Sequence, residues 1–328
     1  MKKRIIGSLF WVSILFMLVC ISFNHPWAAE KYPSRSIELV CGMAPGGASD
    51  ILNRMLARYF EKYLGVAVVP TNKPGAAQVV GTTYLAKSAP DGYTIGNMSI
   101  QVVTAIVAGQ ATTYSLDDVR AVCQLAYVGT VLGVPTDSPW KTFQEFMDYA
   151  RKNPGVKYAH QGVGSGAHIR METLNRYAKL GLAGIPFNGE GEMIPAVLGK
   201  HLPIAGFSPG GVRPQVEAGK MRILFSFDPP AEVGFDPTLP HLLSVFGKDA
   251  PDLDISVYLW MPRKTPDEIV RMIEQTYVKM TKDPEFISEL RKNNYVPAYI
   301  DGNTVMQKKI PEKMPQMKET LQFVGMLK

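Results

Sequence analysis

Ile37-Glu38-Leu39-Val40-Cys41-Gly42-Met43-Ala44-Pro45-Gly46-Gly47-Ala48-Ser49-Asp50 leads directly into an amphipathic run that lasts to Leu64. The first five residues read as an apolar strand, and Pro-Gly-Gly breaks it. Beyond the break, Ile51, Leu52, Met55, Leu56, Tyr59, Phe60 and Tyr63 recur every three or four residues, while Asn53, Arg54, Arg58, Glu61 and Lys62 take the other positions. That spacing predicts a helix with one buried face, capped by Asp50 or Ser49 and stopped by Gly65. A helix entered through Gly46 and Gly47 presents unsatisfied backbone N–H groups that no side chain shields, and such a mouth holds anions. An ordinary βα turn would carry the same glycine pair if it stood alone.

A second strand–turn–helix unit stands near mid-chain. Val156 to His160 is a short strand, Gly162-Val163-Gly164-Ser165-Gly166-Ala167-His168 is a glycine-rich turn, and Ile169 to Leu180 carries a helical pattern ended by Gly181. Two small-residue mouths suit a ligand gripped from both sides by backbone N–H groups and hydroxyls, with Ser49 and Ser165 as the nearest side-chain donors. A carboxylate needs little more.

At the amino terminus, Lys2, Lys3 and Arg4 precede an almost wholly apolar stretch from Ile5 to Phe23, and Ala28-Ala29 offers small residues for cleavage. This order reads as an export signal removed near Ala29, rather than as a permanent anchor or a lipid site at Cys20. Losing residues 1–29 lowers the formal charge from +6 to +3, because the segment holds three basic residues and no acidic ones. With no dense Lys/Arg run, nucleic acid is not expected as a partner. Cys41 and Cys123 remain, read as buried apolar fillers or as a pair. No Cys/His cluster has metal spacing, and neither a metal nor a cofactor is expected.

Strands and helices alternate along the rest of the chain, which predicts an α/β fold with mostly parallel sheets flanked by helices. Strands are expected at Val66–Val69, Thr94–Met98, Leu202–Phe207 and Met221–Phe227. Helices are expected at Val79–Ser88, Thr142–Lys152, Val212–Ala218, Thr265–Met280 and Pro284–Asn293. Val119 to Val134 is strand-rich and carries the chain into a second domain near Gly129, while the proline-rich stretch from Asp228 to Pro251 returns it. Ligands of such sheets bind beyond the strands' carboxyl ends.

Two motifs point elsewhere. Gly206-Phe207-Ser208-Pro209-Gly210 matches a hydrolase nucleophile elbow, with Asp228 or Asp236 and His241 in the appropriate chain order. Pro209, however, has no N–H for an oxyanion, and no helix is expected directly after Ser208. Gly162-x-Gly164-x-x-Ala167 resembles a dinucleotide fingerprint but lacks the acidic partner about 20 residues on. His168 reads as a capping or packing histidine before a general base or an anion contact.

The order and spacing of short motifs over Tyr32 to Asn303 resemble the tripartite tricarboxylate transporter substrate-binding proteins, the TctC or Bug family of periplasmic receptors. The likeness is carried by Tyr32-Pro33-Ser34-Arg35, Ala44-Pro45-Gly46-Gly47 with Asp50, Asn72-Lys73-Pro74-Gly75-Ala76, and Ala89-Pro90-Asp91-Gly92-Tyr93-Thr94. Further on it is carried by Gly164-Ser165 with His168, Pro186-Phe187-Asn188-Gly189, Ala218-Gly219-Lys220, Trp260 with Pro262, and Thr265-Pro266. Gln78 stands where the family pattern has glycine, Met43 where it has an aromatic, and Pro203 where it has an acidic residue. The resemblance implies a two-domain, type II-like Venus-flytrap periplasmic binding protein, not an enzyme. One domain would comprise residues 30–128 plus 248–328 and the other 129–247. In the periplasm it would close on a small carboxylate and deliver it to the membrane permease subunits of a tripartite tricarboxylate-type transporter. The implied ligand-binding residues are Ala44, Pro45, Gly46, Gly47, Ala48, Ser49 and Asp50 on one loop and Gly164, Ser165, Gly166, Ala167 and His168 on the other. Ser99, Gln101, Phe207 and Ser208 would face the variable part of the ligand. The alternatives are an exported serine hydrolase using Ser208 and a ligand sensor that keeps the binding-protein fold.

Overall fold

A computed structural model describes residues 31–247 and 255–327. The export segment with Cys20 and Ala29, and the return crossing expected near Ala250, lie outside the described residues. Contacts group the chain into Met1–Ser34 and a compact unit of Arg35–Lys328.

In chain order the unit opens with β1 (Ile37–Cys41), α1 (Ala48–Leu64), β2 (Val68–Asn72), α2 (Val79–Lys87), β3 (Thr94–Ser99), α3 (Gln101–Val107) and β4 (Val119–Val128). Then come β5 (Val131–Pro135), α4 (Phe143–Lys152), β6 (Lys157–His160), α5 (Gly166–Ala178), β7 (Ala183–Pro186), α6 (Glu190–Leu198), β8 (Ile204–Phe207), α7 (Pro209–Glu217), β9 (Met221–Ser226) and α8 (Leu242–Phe246). The chain finishes with β10 (Ser256–Pro262), α9 (Asp267–Met280), α10 (Pro284–Lys292), β11 (Tyr295–Asp301), a short turn of helix α11 (Gly302–Thr304), a π-helical stretch (Val305–Lys309) and α12 (Ile310–Phe323).

Two sheets form. The first has the order β11-β4-β10-β3-β1-β2 and the second β7-β6-β8-β5-β9. Both are mixed, where the sequence pattern suggests mostly parallel ones. β1 is parallel to β2 and β3, and β6 is parallel to β7 and β8. In contrast, β10 runs antiparallel to β3 and β4, and β5 antiparallel to β8 and β9. The reason is how the chain changes sheet. Each parallel pair is joined by a helical crossover that turns the chain back, but β5 follows β4 after only Gly129 and Thr130, so its direction is inherited from β4. The strand-rich run from Val119 to Val134 is therefore two strands in two sheets.

Helices cover both faces of the second sheet. Phe146, Met147, Met171 and Leu174 from α4 and α5 pack with Tyr158 and Ile204 on one face; Met193, Val197 and Val212 from α6 and α7 pack with Ala159 and Phe207 on the other. In the first sheet, Trp260 and Tyr258 of β10 share a core with Met98, Val103 and the C-terminal Met317 and Leu321. Each such fully buried large side chain contributes roughly 1.5–3 kcal/mol. The cysteines lie in β1 and β4, buried and unbridged. Two strands stand between them, so at about 4.8 Å per strand they are well beyond the ~6.8 Å limit for a disulfide.

The crossing at Gly129 is pinned by charge. Asp228 accepts the Thr130 N–H at 2.9 Å and receives a two-pronged Arg170 guanidinium at 2.8 and 3.0 Å. A Cβ at Gly129 would lie 2.5 Å from Val233 Cγ1 and 3.0 Å from the same carboxylate, so glycine lets the strand pass this close.

Candidate functional site

The first loop folds much as its spacing implies, with one shift. Helix α1 begins at Ala48 behind Gly47, not behind Ser49 or Asp50, and Gly47 offers no capping side chain. Gly46, at φ 85°, makes the sharp turn that brings the helix start forward. Asp50 instead reaches back to the Gly46 N–H at 3.0 Å and pairs with Arg54 at 3.0 Å. Burial alone would raise its carboxyl, but hydrogen bonds from Arg54, Gly46 and Asn72 hold it below the ordinary value. Asp50 braces the loop, and Asn72 adds a bond of 3.0 Å to the Met43 carbonyl.

At the helix mouth sits a carboxylate of this chain. Glu190, the first residue of α6 and 3 % exposed, accepts the Ala48 N–H at 3.1 Å. It also accepts the Ser208 N–H, the Ser208 hydroxyl at 2.7 and 2.8 Å, and the Gln161 side chain. Burial raises the Glu190 carboxyl above its ordinary value, while these donors oppose the shift. Nearby, the Ala44 N–H donates to the Asn188 carbonyl at 3.1 Å, so the Ala44–Gly47 loop meets the start of α6 directly.

The second loop caps its helix with its own side chains. The Ser165 hydroxyl accepts the His168 N–H at 3.1 Å, and His168 Nδ1 accepts the Gly164 N–H at 3.2 Å. Ser165 is fully buried, so a bulkier residue there would disturb the fold as well as the mouth. The His168 ring stacks on His160, and burial pushes His168 down to about 4 and His160 to about 3. Burial thus disfavours an imidazolium at either ring, and the contacts His168 makes here are those of a capping and packing residue.

Between the two sheets lies a cavity of ≈ 40 Å³. Of the residues singled out from sequence, Ala48, Ser49, Ser99, Gln101, Ala167 and Ser208 line it. Ala44, Pro45, Gly46, Gly47 and Asp50 of the first unit and Gly164, Ser165, Gly166 and His168 of the second are not among its lining residues. Phe207 instead points into the apolar core of the second sheet, fully buried. Met43, Gln78, Thr130, Gln161 and Tyr295, which are not among the binding residues expected from sequence, also line the cavity. Gln78 carried a signal, since it departs from a glycine in the family pattern. It sits at φ 77°, after Ala76 and Ala77 at 45° and 49°, a left-handed stretch where glycine would be unstrained. Its amide compensates: Oε1 accepts the Ser99 N–H at 3.0 Å, and Nε2 donates to Ser99 Oγ at 3.0 Å and to Gln101 Oε1.

Ser208 stands at a tight strand–helix junction, since α7 starts at Pro209 rather than near Val212, with proline in the first helical position where its missing N–H costs nothing. The Ser208 hydroxyl is held by Glu190 and makes no hydrogen bond to a histidine among the described residues.

Comparison with known proteins places this geometry. Residues 52–326 match the family model described as "Tripartite tricarboxylate transporter family receptor". The "UPF0065 protein in gbd 5'region" of Cupriavidus necator is 32 % identical over 282 residues, covering 85 % of this chain and 84 % of that one. In structure, the periplasmic binding protein BugD superposes with a TM-score of 0.84 at 24 % identity, covering 90 % of this chain and 99 % of BugD. A protein of R. palustris solved with adipate gives 0.82 at 22 %, covering 90 % and 98 %. These structural likenesses are of fold, that of a two-domain periplasmic binding protein with a mixed α/β sheet in each half. The span of the family match and the 32 % identity to the Cupriavidus necator protein make this chain a member of the tripartite tricarboxylate transporter family of receptors.

Proposed function

We propose that this receptor captures a small carboxylate in the cavity between its two sheets, and that it does so in the periplasm for a tripartite tricarboxylate-type permease. The observation that carries the reading is the contact between a carboxylate oxygen and the Ala48 N–H at the α1 mouth: the seat is of a kind that receives that group, and in this chain it does. The adipate held by the R. palustris relative is a ligand of the same class. Binding requires no bond to break, only closure that differs with and without ligand. The two halves, residues 30–128 with 248–328 and residues 129–247, would hinge at Gly129 and near Ala250. The Ala44–Asp50 and Gly164–His168 loops would close over the ligand, with Ser99, Gln101 and Ser208 meeting its variable part. No Lys or Arg is among the cavity's lining residues, so the grip would be by backbone dipoles, side-chain amides and hydroxyls.

The test is thermal unfolding of the purified protein against di- and tricarboxylates and aromatic acids, with the matching amides as neutral controls. At about a hundred times the dissociation constant a ligand adds roughly 2.7 kcal/mol, a rise of a few degrees in Tm. A rise with carboxylates and none with amides supports the proposal; a silent panel defeats it.

A further inference from the structure

The carboxylate at the α1 mouth is not loosely placed. Glu190 is rooted in the second half of the molecule, on α6, and is held there by the Ser208 N–H and hydroxyl. The Gln161 side chain, also of the second half, donates to it as well, while the Ala48 N–H that it accepts belongs to the first half. One side chain thus joins the two halves through the donors expected to hold a ligand carboxylate. The surroundings are shaped around it. A Cβ at Gly47 would lie 3.1 Å from the Glu190 Cβ and 3.4 Å from Oε2, and one at Gly211 would collide with Oε2, so glycine backbone flanks the carboxylate on two sides; a Cβ at Gly191 would collide with the Pro45 carbonyl, so the two loops also meet backbone to backbone.

The cavity beside it is small. Its ≈ 40 Å³ has room for roughly three waters at ~10–15 Å³ each, too little for a dicarboxylate. The seat and the volume lead to one conclusion. We propose that Glu190 is an internal surrogate for the ligand carboxylate: without ligand it holds the cleft shut by bridging Ser208 to the Ala48 N–H, and a carboxylate ligand enters by displacing it. This rests on the carboxylate reading above and adds to it a specificity rule. A ligand competes for the seat with a tethered acid, so one lacking a carboxylate has no means to open the site.

The experiment is small-angle scattering of the ligand-free protein in three forms, wild type, Glu190→Gln and Glu190→Ala, with circular dichroism to establish folding. The same three forms are titrated calorimetrically with adipate and with the carboxylates of the thermal panel. Glu190→Ala is expected to show a larger radius of gyration than wild type, and Glu190→Gln, which keeps shape and one acceptor, an intermediate one. If the latch holds about nine in ten molecules shut, Glu190→Ala should bind a carboxylate about tenfold tighter. An unchanged radius in folded Glu190→Ala overturns the proposal, and so does an unchanged or weaker affinity for a carboxylate that wild type binds. Failure of the latch and failure of the carboxylate reading are separable. An opened Glu190→Ala that ignores every carboxylate keeps the latch and removes the ligand class. Wild type that binds carboxylates, beside a variant that neither opens nor gains affinity, does the reverse.

Discussion

The imidazoles of His160 and His168 stack with centroids 4.1 Å apart and 30° between their planes, joining the end of β6 to the first turn of α5. Burial lowers both, to about 3 for His160, which the neighbouring His168 also lowers, and to about 4 for His168. Depressed folded values mean that the unfolded chain binds more protons between about pH 4 and the ordinary 6.5. Stability is therefore fully present above pH 6.5 and is lost as pH falls through that window. A tenfold weaker hold on the proton corresponds to about 1.4 kcal/mol, so His168 alone accounts for a loss on the order of 2–3 kcal/mol by pH 4. Urea midpoints from pH 4 to 8 check this. His168→Asn, which keeps an acceptor for the Gly164 N–H, should flatten the slope, and an unchanged slope would show that other groups govern acid sensitivity.

Gln78 sets backbone strain against hydrogen bonding, and the two can be separated. Gln78→Ala keeps the left-handed backbone and strips the Ser99 N–H of its acceptor, at about 1–3 kcal/mol for an unsatisfied buried group. Gln78→Gly loses the same bonds but removes a conformational cost of roughly 1–2 kcal/mol. The expected order of stability is wild type, then Gly, then Ala, read from chemical denaturation. Equal stabilities for the Gly and Ala variants would mean that the loop relaxes out of the left-handed region.

Arg170 and Asp228 hold the crossing at Thr130. Removing only the acid leaves a guanidinium 2 % exposed without its carboxylate, and Asp228→Ala should cost about 3–5 kcal/mol. The apolar pair Arg170→Met with Asp228→Leu should cost clearly less, because no charge is left behind. A double variant as unstable as the single one would place the cost in backbone rearrangement instead.

Ser208→Ala withdraws the hydroxyl that donates to both oxygens of Glu190. A hydrogen bond to a charged group is worth about 1.5–3 kcal/mol, so the variant should unfold at correspondingly lower urea. Short-chain ester hydrolysis should stay at the buffer rate in wild type and variant alike. Turnover in wild type that Ser208→Ala abolishes would instead establish the nucleophile elbow that Gly206 to Gly210 resembles.

Some features were legible because they are local. The α1 stripe from Leu52 to Phe60 and the Gly65 stop, with its left-handed φ of 74° and N–H bonded to Glu61 at 3.0 Å, follow from 3.6-residue spacing and from what glycine alone tolerates. β10 was not legible: its seven residues are all buried, so no alternation marks it as a strand. α12 carries Pro311 in its first turn and Pro315 within it, and proline argues against a helix wherever the chain is read one residue at a time.

The same division runs through the site. Sequence by itself determined that two glycine-rich mouths open helices of this chain, because a broken strand followed by an amphipathic stripe leaves N–H groups exposed whatever else the protein does. It also determined that neither mouth is backed by a basic run. Only the tertiary structure decided what stands at the first mouth. Ala48 and Glu190 are 142 residues apart, and their hydrogen bond exists because the loop after β7 returns to the loop after β1. Hydrogen bonds of this range leave no period or spacing in the sequence, since the pairing is set by how two sheets dock and by the glycines that let their loops approach.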